Sequence, residues 1–311
     1  MKNFIIRALS GIVFGVLVIG ATLFSPITFA VIFGLIMCIT LYEYQNITMG
    51  KWCYKGNCFS RTMSMLAAIT LFVSSFVVLK YNLDPAIFIV NVIPLIGLFV
   101  LNLYVKGYNV REEGKTNGYE LIAHSLYGYM YVAVPFSLMN VAAFHSAEYN
   151  GFFILGMIII LWCTDVGAYL FGSLLGQRFN NKLFPSISPK KSWVGFFGGV
   201  FCAVGVGILL CHINFLYLNV EQGAVFSLII AIFGVFGDLV ESQLKRNYGV
   251  KDSGTIMPGH GGMLDRFDGA LIGFPMAILY LLKKYEFCGI IIKILIKIMK
   301  NLQKKPFFKV K

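Results

Sequence analysis

Charge is scarce in this chain. Of 311 residues, 13% are Asp, Glu, Lys or Arg while 58% are hydrophobic, and mean hydropathy is +0.77. Soluble domains are about a quarter charged, so an ordinary soluble enzyme is excluded. No polar stretch is long enough to fold alone, which excludes a separate soluble domain. The apolar runs lack the short, alternating segments of a membrane barrel. No Ala-x-Ala-like site follows the first apolar run, so no cleavable signal peptide is expected. Acids are the rarest charges, 14 against 26 basic residues. A net charge of +12 without any basic soluble module speaks against nucleic acid and for loops that face anionic membrane lipid. Cysteine offers little. Cys38, Cys163, Cys202 and Cys211 lie in apolar runs as buried fillers. Cys53 and Cys58 lack partner ligands for zinc and belong to a loop expected in a reducing compartment, so they receive no role.

What is present is an all-α, polytopic membrane pattern. Nine candidate spans lie at roughly 11–24, 27–44, 63–80, 86–105, 119–144, 151–172, 193–212, 223–241 and 267–282, with breakers such as Ser25-Pro26, Asp84-Pro85 and Asn150-Gly151 between them. They form one integral membrane domain, 1–282, divided into N-terminal spans 1–118 and spans 119–282 that carry the chemistry. With the N-terminus inside, the inner segments up to residue 266 hold sixteen Lys and Arg residues, and the outer loops hold Lys80 alone. That bias sets the orientation and puts the loops 173–192 and 241–266 in the cytoplasm. The remaining tail, 283–311, is Lys-rich. Lys293, Lys297, Lys300 and Lys304 fall on one helical face, which suits an amphipathic helix lying on anionic lipid; a tenth short segment is the alternative.

Against this apolar background, residues 237–268 form a polar island. Charge beside hydrocarbon is costly and marks function by default. Asp238, Glu241, Ser242 and Lys245 are spaced i, i+3, i+4, i+7, and share one helical face if the eighth span stays helical. Asp265 and Asp268 form a second i, i+3 pair at the start of the next span. Two such pairs facing each other make a hard oxygen site suited to Mg²⁺; capping of a helix start is the plainer reading of the second pair. Between them lie Lys251 and Asp252, then Gly259-His260-Gly261-Gly262. These glycines permit tight turns and let backbone N–H groups approach an anion. His260 suits a proton donor, a phosphate donor or a turn residue equally. Arg246 and Arg266 add positive charge. Asp165 sits deep in the sixth span, where an ionised carboxylate needs a cation, a metal or water. Ser188-Pro189-Lys190-Lys191 leads into the seventh span. Two lysines at a helix N-terminus oppose the helix dipole, a conflict that an arriving polyphosphate relieves. Gly195, Gly198 and Gly199 just beyond read as close helix packing.

Acids for a divalent ion, bases for phosphates and a membrane face together suggest phosphoryl-type chemistry between a nucleotide and a lipid. At this point the chain resembles a known family. Ser242-x-Leu244-Lys245-Arg246, Lys251-Asp252-Ser253-Gly254 and Pro258-Gly259-His260-Gly261-Gly262-x-x-Asp265-Arg266-x-Asp268 look like the signature of phosphatidate cytidylyltransferases. Gly237-Asp238-Leu239-x-Glu241, Asp165-x-Gly167-Ala168-Tyr169 and Ser188-Pro189-Lys190-Lys191-Ser192 fit as well. The likeness covers roughly residues 120–282. One departure is Val194, where members usually carry a glutamate.

The resemblance implies the reaction of CTP with phosphatidate to give CDP-diacylglycerol and pyrophosphate. It implies Mg²⁺, with a monovalent cation left open, and a helical fold that is often dimeric. On this reading Asp238 and Asp265 hold the metal, with Asp268 and Glu241 sharing or supporting it. Lys245, Arg246, Arg266 and His260 join the catalytic set, and Lys190, Lys191, Ser188, Lys251, Asp165 and Ser242 contact substrate. A bacterial inner membrane with the site facing the cytoplasm is the expected location. Two rivals remain: a CTP-dependent polyprenol or phytol kinase, which lacks the long signature, and an ion or phosphate transporter, which calls for polar residues through the whole membrane depth.

Overall fold

The computed structural model describes residues 2–50, 57–103, 118–146, 148–175, 182–257, 259 and 261–282, with side chains from residue 9 onward. All nine expected segments are helical. The helices are α1 (Lys2–Phe24), α2 (Pro26–Met49), α3 (Cys58–Tyr81), α4 (Val92–Asn102, entered through a 3-10 turn at Pro85–Asn91), α5 (Gly118–Gly128), α6 (Val134–Ala143), α7 (Gly151–Leu174), α8 (Trp193–His212), α9 (Val220–Asn247) and α10 (Leu264–Leu282). A π-helical stretch, Tyr129–Ala133, joins α5 to α6 into one rod.

Among the described residues, seven helical stretches are long and apolar enough to cross a membrane. The apolar part of α1, Leu9–Phe24, is shorter, and α10, with Asp265, Arg266 and Asp268 in its first turns, is not among the seven. Of the nine expected crossings, seven meet this measure among the described residues, flanked by these two helices.

Local chemistry explains the helix starts. Ser25 caps α2 and forms a capping box with Thr28, with Pro26 in the first turn. Asn150 caps α7, and Asn219 builds a capping box with Gln222 for α9. The eighth span was expected to end near residue 241, but α9 runs on to Asn247. Lys245 and Arg246 in its last turn favour the dipole, and Glu241 and Lys245 pair at i, i+4.

Two sequence expectations need correction. The segment 173–192, read as a loop, contains an antiparallel hairpin of β1 (Lys182–Phe184) and β2 (Ser188–Ser192), so the all-α fold carries one small β element. Alternation is invisible over strands of three and five residues, which hid it from the sequence. Cys58 is disulfide-bonded, whereas the sequence reading gave it no role because its loop was expected in a reducing compartment. Cys53, His260, Arg178 and the tail 283–311 lie outside the described residues.

Two packing devices position the site. Phe33 of α2 and Phe136 of α6 both meet the Phe267 ring of α10, at centroid distances of 6.2 and 5.2 Å. This locks the first turn of α10 into the core. The second device is backbone proximity. A Cβ added at Gly237 of α9 would lie 2.9 Å from the Cα of Gly269 on α10. Small residues here let the two helices touch, as in close transmembrane crossings. Between α7 and α8 the expected glycine packing is present: a Cβ at Gly199 would lie 2.7 Å from the carbonyl oxygen of Thr164.

Candidate active site

The Gly237–Gly269 contact brings together the acids that flank it in sequence, Asp238 after Gly237 and Asp268 before Gly269. Asp238 on α9 and Asp268 on α10 line the same cavity, of about 610 Å³. Asp265 and Arg266 join from the first turn of α10, Lys245 from α9, Asp165 from α7 and Asp252 from the loop before α10. Three helices and a loop thus bring five carboxylates and two cations to one space. Gly11, Phe14 and Gly15 of α1, Trp162 of α7 and Met257 of the loop complete its wall. Asp165 is about 13 Å above the end of α7 at 1.5 Å per residue, so the cavity reaches from the membrane face into the bundle.

Lys245 is the electrostatic hinge of this site. Its Nζ lies 2.5 Å from Oε2 of Glu241 and 2.6 Å from Oδ1 of Asp265. Glu241 is fully buried and does not line the cavity, so it bears on the site through Lys245. The other oxygen of Asp265, Oδ2, accepts hydrogen bonds from the N–H of Ser253 at 3.0 Å and the N–H of Gly262 at 2.8 Å, and lies 3.0 Å from the Ser253 hydroxyl oxygen. Asp265 therefore holds the loop 252–262 folded over itself. Gly259 and Gly261, at φ of 77° and 82°, make the turns that an L side chain resists. The expected tight turns are present, but the Gly262 N–H is directed to Asp265.

A second cavity, of about 300 Å³, adjoins the first. Asp165 and Asp238 line both. Lys190, Lys191 and Ser192 supply its polar wall, while Ala168, Tyr169, Leu183, Phe196 and Val235 supply an apolar one. Ser192 caps α8 by accepting the Gly195 N–H at 3.1 Å. Lys190 and Lys191 thus precede the helix and sit in β2. Lys191 meets Asp238 at 2.6 Å, which offsets the conflict with the α8 dipole expected from the sequence. Ser242 donates to Asp238 Oδ1 at 3.1 Å.

Of the residues singled out from sequence, Asp165, Lys190, Lys191, Asp238, Lys245, Asp265, Arg266 and Asp268 converge on these two cavities. Arg246 is exposed and reaches the carbonyl of Val250, while Ser188 and the exposed Lys251 line neither cavity. Sequence reading missed Glu43, buried near the C-terminal end of α2, whose Oε2 accepts from the Leu264 N–H at 2.8 Å and the Ser253 hydroxyl at 3.1 Å. A lone acid in an apolar helix was the available signal.

Mg²⁺ fits this donor set. Magnesium in nucleotide enzymes commonly takes one or two carboxylates and completes its shell with water and phosphate oxygens. Among the described residues no three His, Cys, Asp or Glu side chains form a ready-made metal cage. The carboxylates facing the larger cavity match a site that substrate completes.

A sequence model of the Cytidylyltransferase family matches residues 5–283. A protein named phosphatidate cytidylyltransferase from Staphylococcus aureus is 33% identical over 272 residues, covering 87% of this chain and 96% of that protein. One of the same name from Staphylococcus epidermidis is 39% identical over 188 residues, covering 60% of this chain and 69% of that protein. With the family pattern spanning nearly its whole length and the signature acids gathered in one cavity, the chain belongs to the Cytidylyltransferase family.

Proposed function

We propose that this protein transfers the cytidylyl group of CTP to phosphatidate, releasing pyrophosphate and leaving CDP-diacylglycerol in the membrane. The observation that carries the reading is the pair of adjoining cavities that share Asp165 and Asp238. One is rich in acids and the other in lysines with an apolar wall. Two polyanionic substrates need such a place, because their phosphates repel strongly where the dielectric is low.

A phosphatidate oxygen attacks the α-phosphorus of CTP. A new O–P bond forms, the bond between the α-phosphorus and its bridging oxygen breaks, and pyrophosphate carries that electron pair away. The attacking oxygen is already anionic, so no side chain has to remove a proton from it. Lys190 and Lys191 offset substrate charge at the smaller cavity, and Lys245 and Arg266 do so at the larger. Arg246, Lys251 and Ser188 belong to the outer substrate-binding surface in this reading, His260 keeps the catalytic role that the family resemblance implies, and Ser242 orients Asp238. Asp238 and Asp265 would hold Mg²⁺, with Asp268 beside them and Glu241 acting through Lys245. Bound there, the ion supplies charge neutralisation at the phosphate oxygens. A monovalent cation remains a further proposal for the same acidic space.

In this reading the site faces the cytoplasm of a bacterial inner membrane, where CTP is found. The basic bias of the site-bearing loops supports that orientation. Anionic lipid contacts and a homodimer are part of the same proposal.

The test supplies purified protein with labelled CTP, Mg²⁺ and either phosphatidate, phytol or dolichol. Label should enter the lipid fraction with phosphatidate alone, as CDP-diacylglycerol. Transfer of only the terminal phosphate of CTP to phytol or dolichol would establish the kinase alternative instead.

A further inference from the structure

We propose that Glu43, on α2 and far from the signature in sequence, is a positioning residue for cytidylyl transfer that anchors the loop 252–264 and thereby sets the place of Asp265. Its side chain is 2% exposed. Oε2 accepts the Leu264 N–H at 2.8 Å, one residue before Asp265, and the Ser253 hydroxyl at 3.1 Å. The same Ser253 hydroxyl lies 3.0 Å from Oδ2 of Asp265. Ser253 thus links the two carboxylates, its N–H on Asp265 and its hydroxyl on Glu43, and Glu43 grips both ends of the loop that leads into Asp265.

The loop is shaped around this carboxylate. A Cβ added at Gly254 or at Gly262 would run into the Glu43 side chain. Both glycines leave room for Glu43, although Gly262 was read from sequence as letting a backbone N–H approach an anion. Stability alone gives a poor account of the arrangement. Oε1 of Glu43 is buried without a hydrogen-bond partner among the described residues, and such an oxygen costs free energy. The gain lies in placement: the unpaired N–H of a helix start and a serine hydroxyl are both tied to α2, so α10 cannot shift its first turn without breaking two buried bonds. The N-terminal spans then serve the site directly, through one side chain.

This inference rests on the proposed reaction, and its test separates the two. Full-length protein, wild type and the variants Glu43→Ala, Glu43→Gln, Ser253→Ala and Glu43→Ala/Ser253→Ala, is assayed for kcat and KM and for amide hydrogen exchange without substrates. Glu43→Ala should lower kcat about tenfold or more while KM for CTP and for phosphatidate moves less than about threefold. Exchange at 253–264 should rise about tenfold or more, with α7 and α8 unchanged. Glu43→Gln keeps an acceptor oxygen and should retain most activity. The double variant should be no worse than the poorer single within about twofold, because both act on one network. If Glu43→Ala does not fold, Ser253→Ala, which removes one of the two bonds, should show the same local exchange increase. Unchanged exchange at 253–264, exchange raised evenly across all helices, or multiplicative losses in the double variant would overturn the proposal. A wild-type protein that fails to label phosphatidate, with the local exchange response intact, would instead sink the reaction and leave the anchor standing.

Discussion

The Nζ of Lys245 lies 2.6 Å from Oδ1 of Asp265, twenty residues along the chain, and joins the end of α9 to the first turn of α10. The same ammonium sits 2.5 Å from the fully buried Glu241. Removing it leaves a carboxylate in the core without its counter-charge. Breaking a buried pair in this way costs on the order of 3–5 kcal/mol, more than many membrane domains can lose. Lys245→Ala should therefore give little folded protein in detergent. Lys245→Met combined with Glu241→Gln removes the Glu241 pair, leaves Asp265 its bonds from Ser253 and Gly262, and should recover part of the lost folding, measured by thermal unfolding, without recovering activity. Equal instability of the single and double variants would show that the pair does not carry this load.

The contact between Lys191 and Asp238 predicts a different outcome. Their side chains are 26% and 36% exposed, so solvent screens the pair and its contribution to stability is at most about 1 kcal/mol. Lys191→Ala should leave the unfolding temperature within about 3 °C of wild type. Its effect should fall on function, because Lys191 faces the cavity proposed for substrate phosphates. We expect kcat/KM to drop about tenfold to a hundredfold, with Lys191→Arg intermediate. A large stability loss with normal specific activity would reverse that assignment.

Gly237 tests the packing that sets Asp238 beside Asp268. A Cβ there would press on the backbone of Gly269, where no flexible side chain can give way. Gly237→Ala should lower stability by about 1–3 kcal/mol and activity with it, since α9 and α10 must separate. Gly205, with nothing within 4 Å of an added Cβ, is the control, and alanine there should be silent in both measurements.

The helices and most of the site could be read from sequence because each relied on a local signal. Apolar runs and breakers place α7 closely and α2 and α3 with one end of each off by five residues, and the i, i+3, i+4, i+7 spacing of Asp238, Glu241, Ser242 and Lys245 lies on one helix. Helical spacing could not show that Glu241 turns into the core while Asp238 faces the cavity, since that depends on how α9 meets its neighbours. Nor could it foresee that the glycines at 254 and 262 surround Glu43, because a side chain from α2 reaches them only after the bundle forms. The hairpin at Lys182–Ser192 escaped for another reason: its strands are too short for a period to register.

Asp238 and Asp265 each already hold a lysine partner, Lys191 and Lys245, in addition to facing the cavity proposed for Mg²⁺. The lysines balance part of the acidic charge, so the fold should not depend on the metal as a zinc finger does. Chelation with EDTA should abolish cytidylyl transfer while shifting the unfolding temperature by less than about 3 °C, and added Mg²⁺ should restore turnover. Asp265→Asn makes the complementary test. The amide can still accept from Ser253 and Gly262, so the protein should insert and fold, but an amide oxygen is a weaker ligand for a hard cation and loses the Lys245 ion pair. Turnover should fall at least about a hundredfold at any Mg²⁺ concentration. Near-normal activity in Asp265→Asn, or full activity after chelation, would remove Asp265 from the metal site and leave it as a strut for the loop alone.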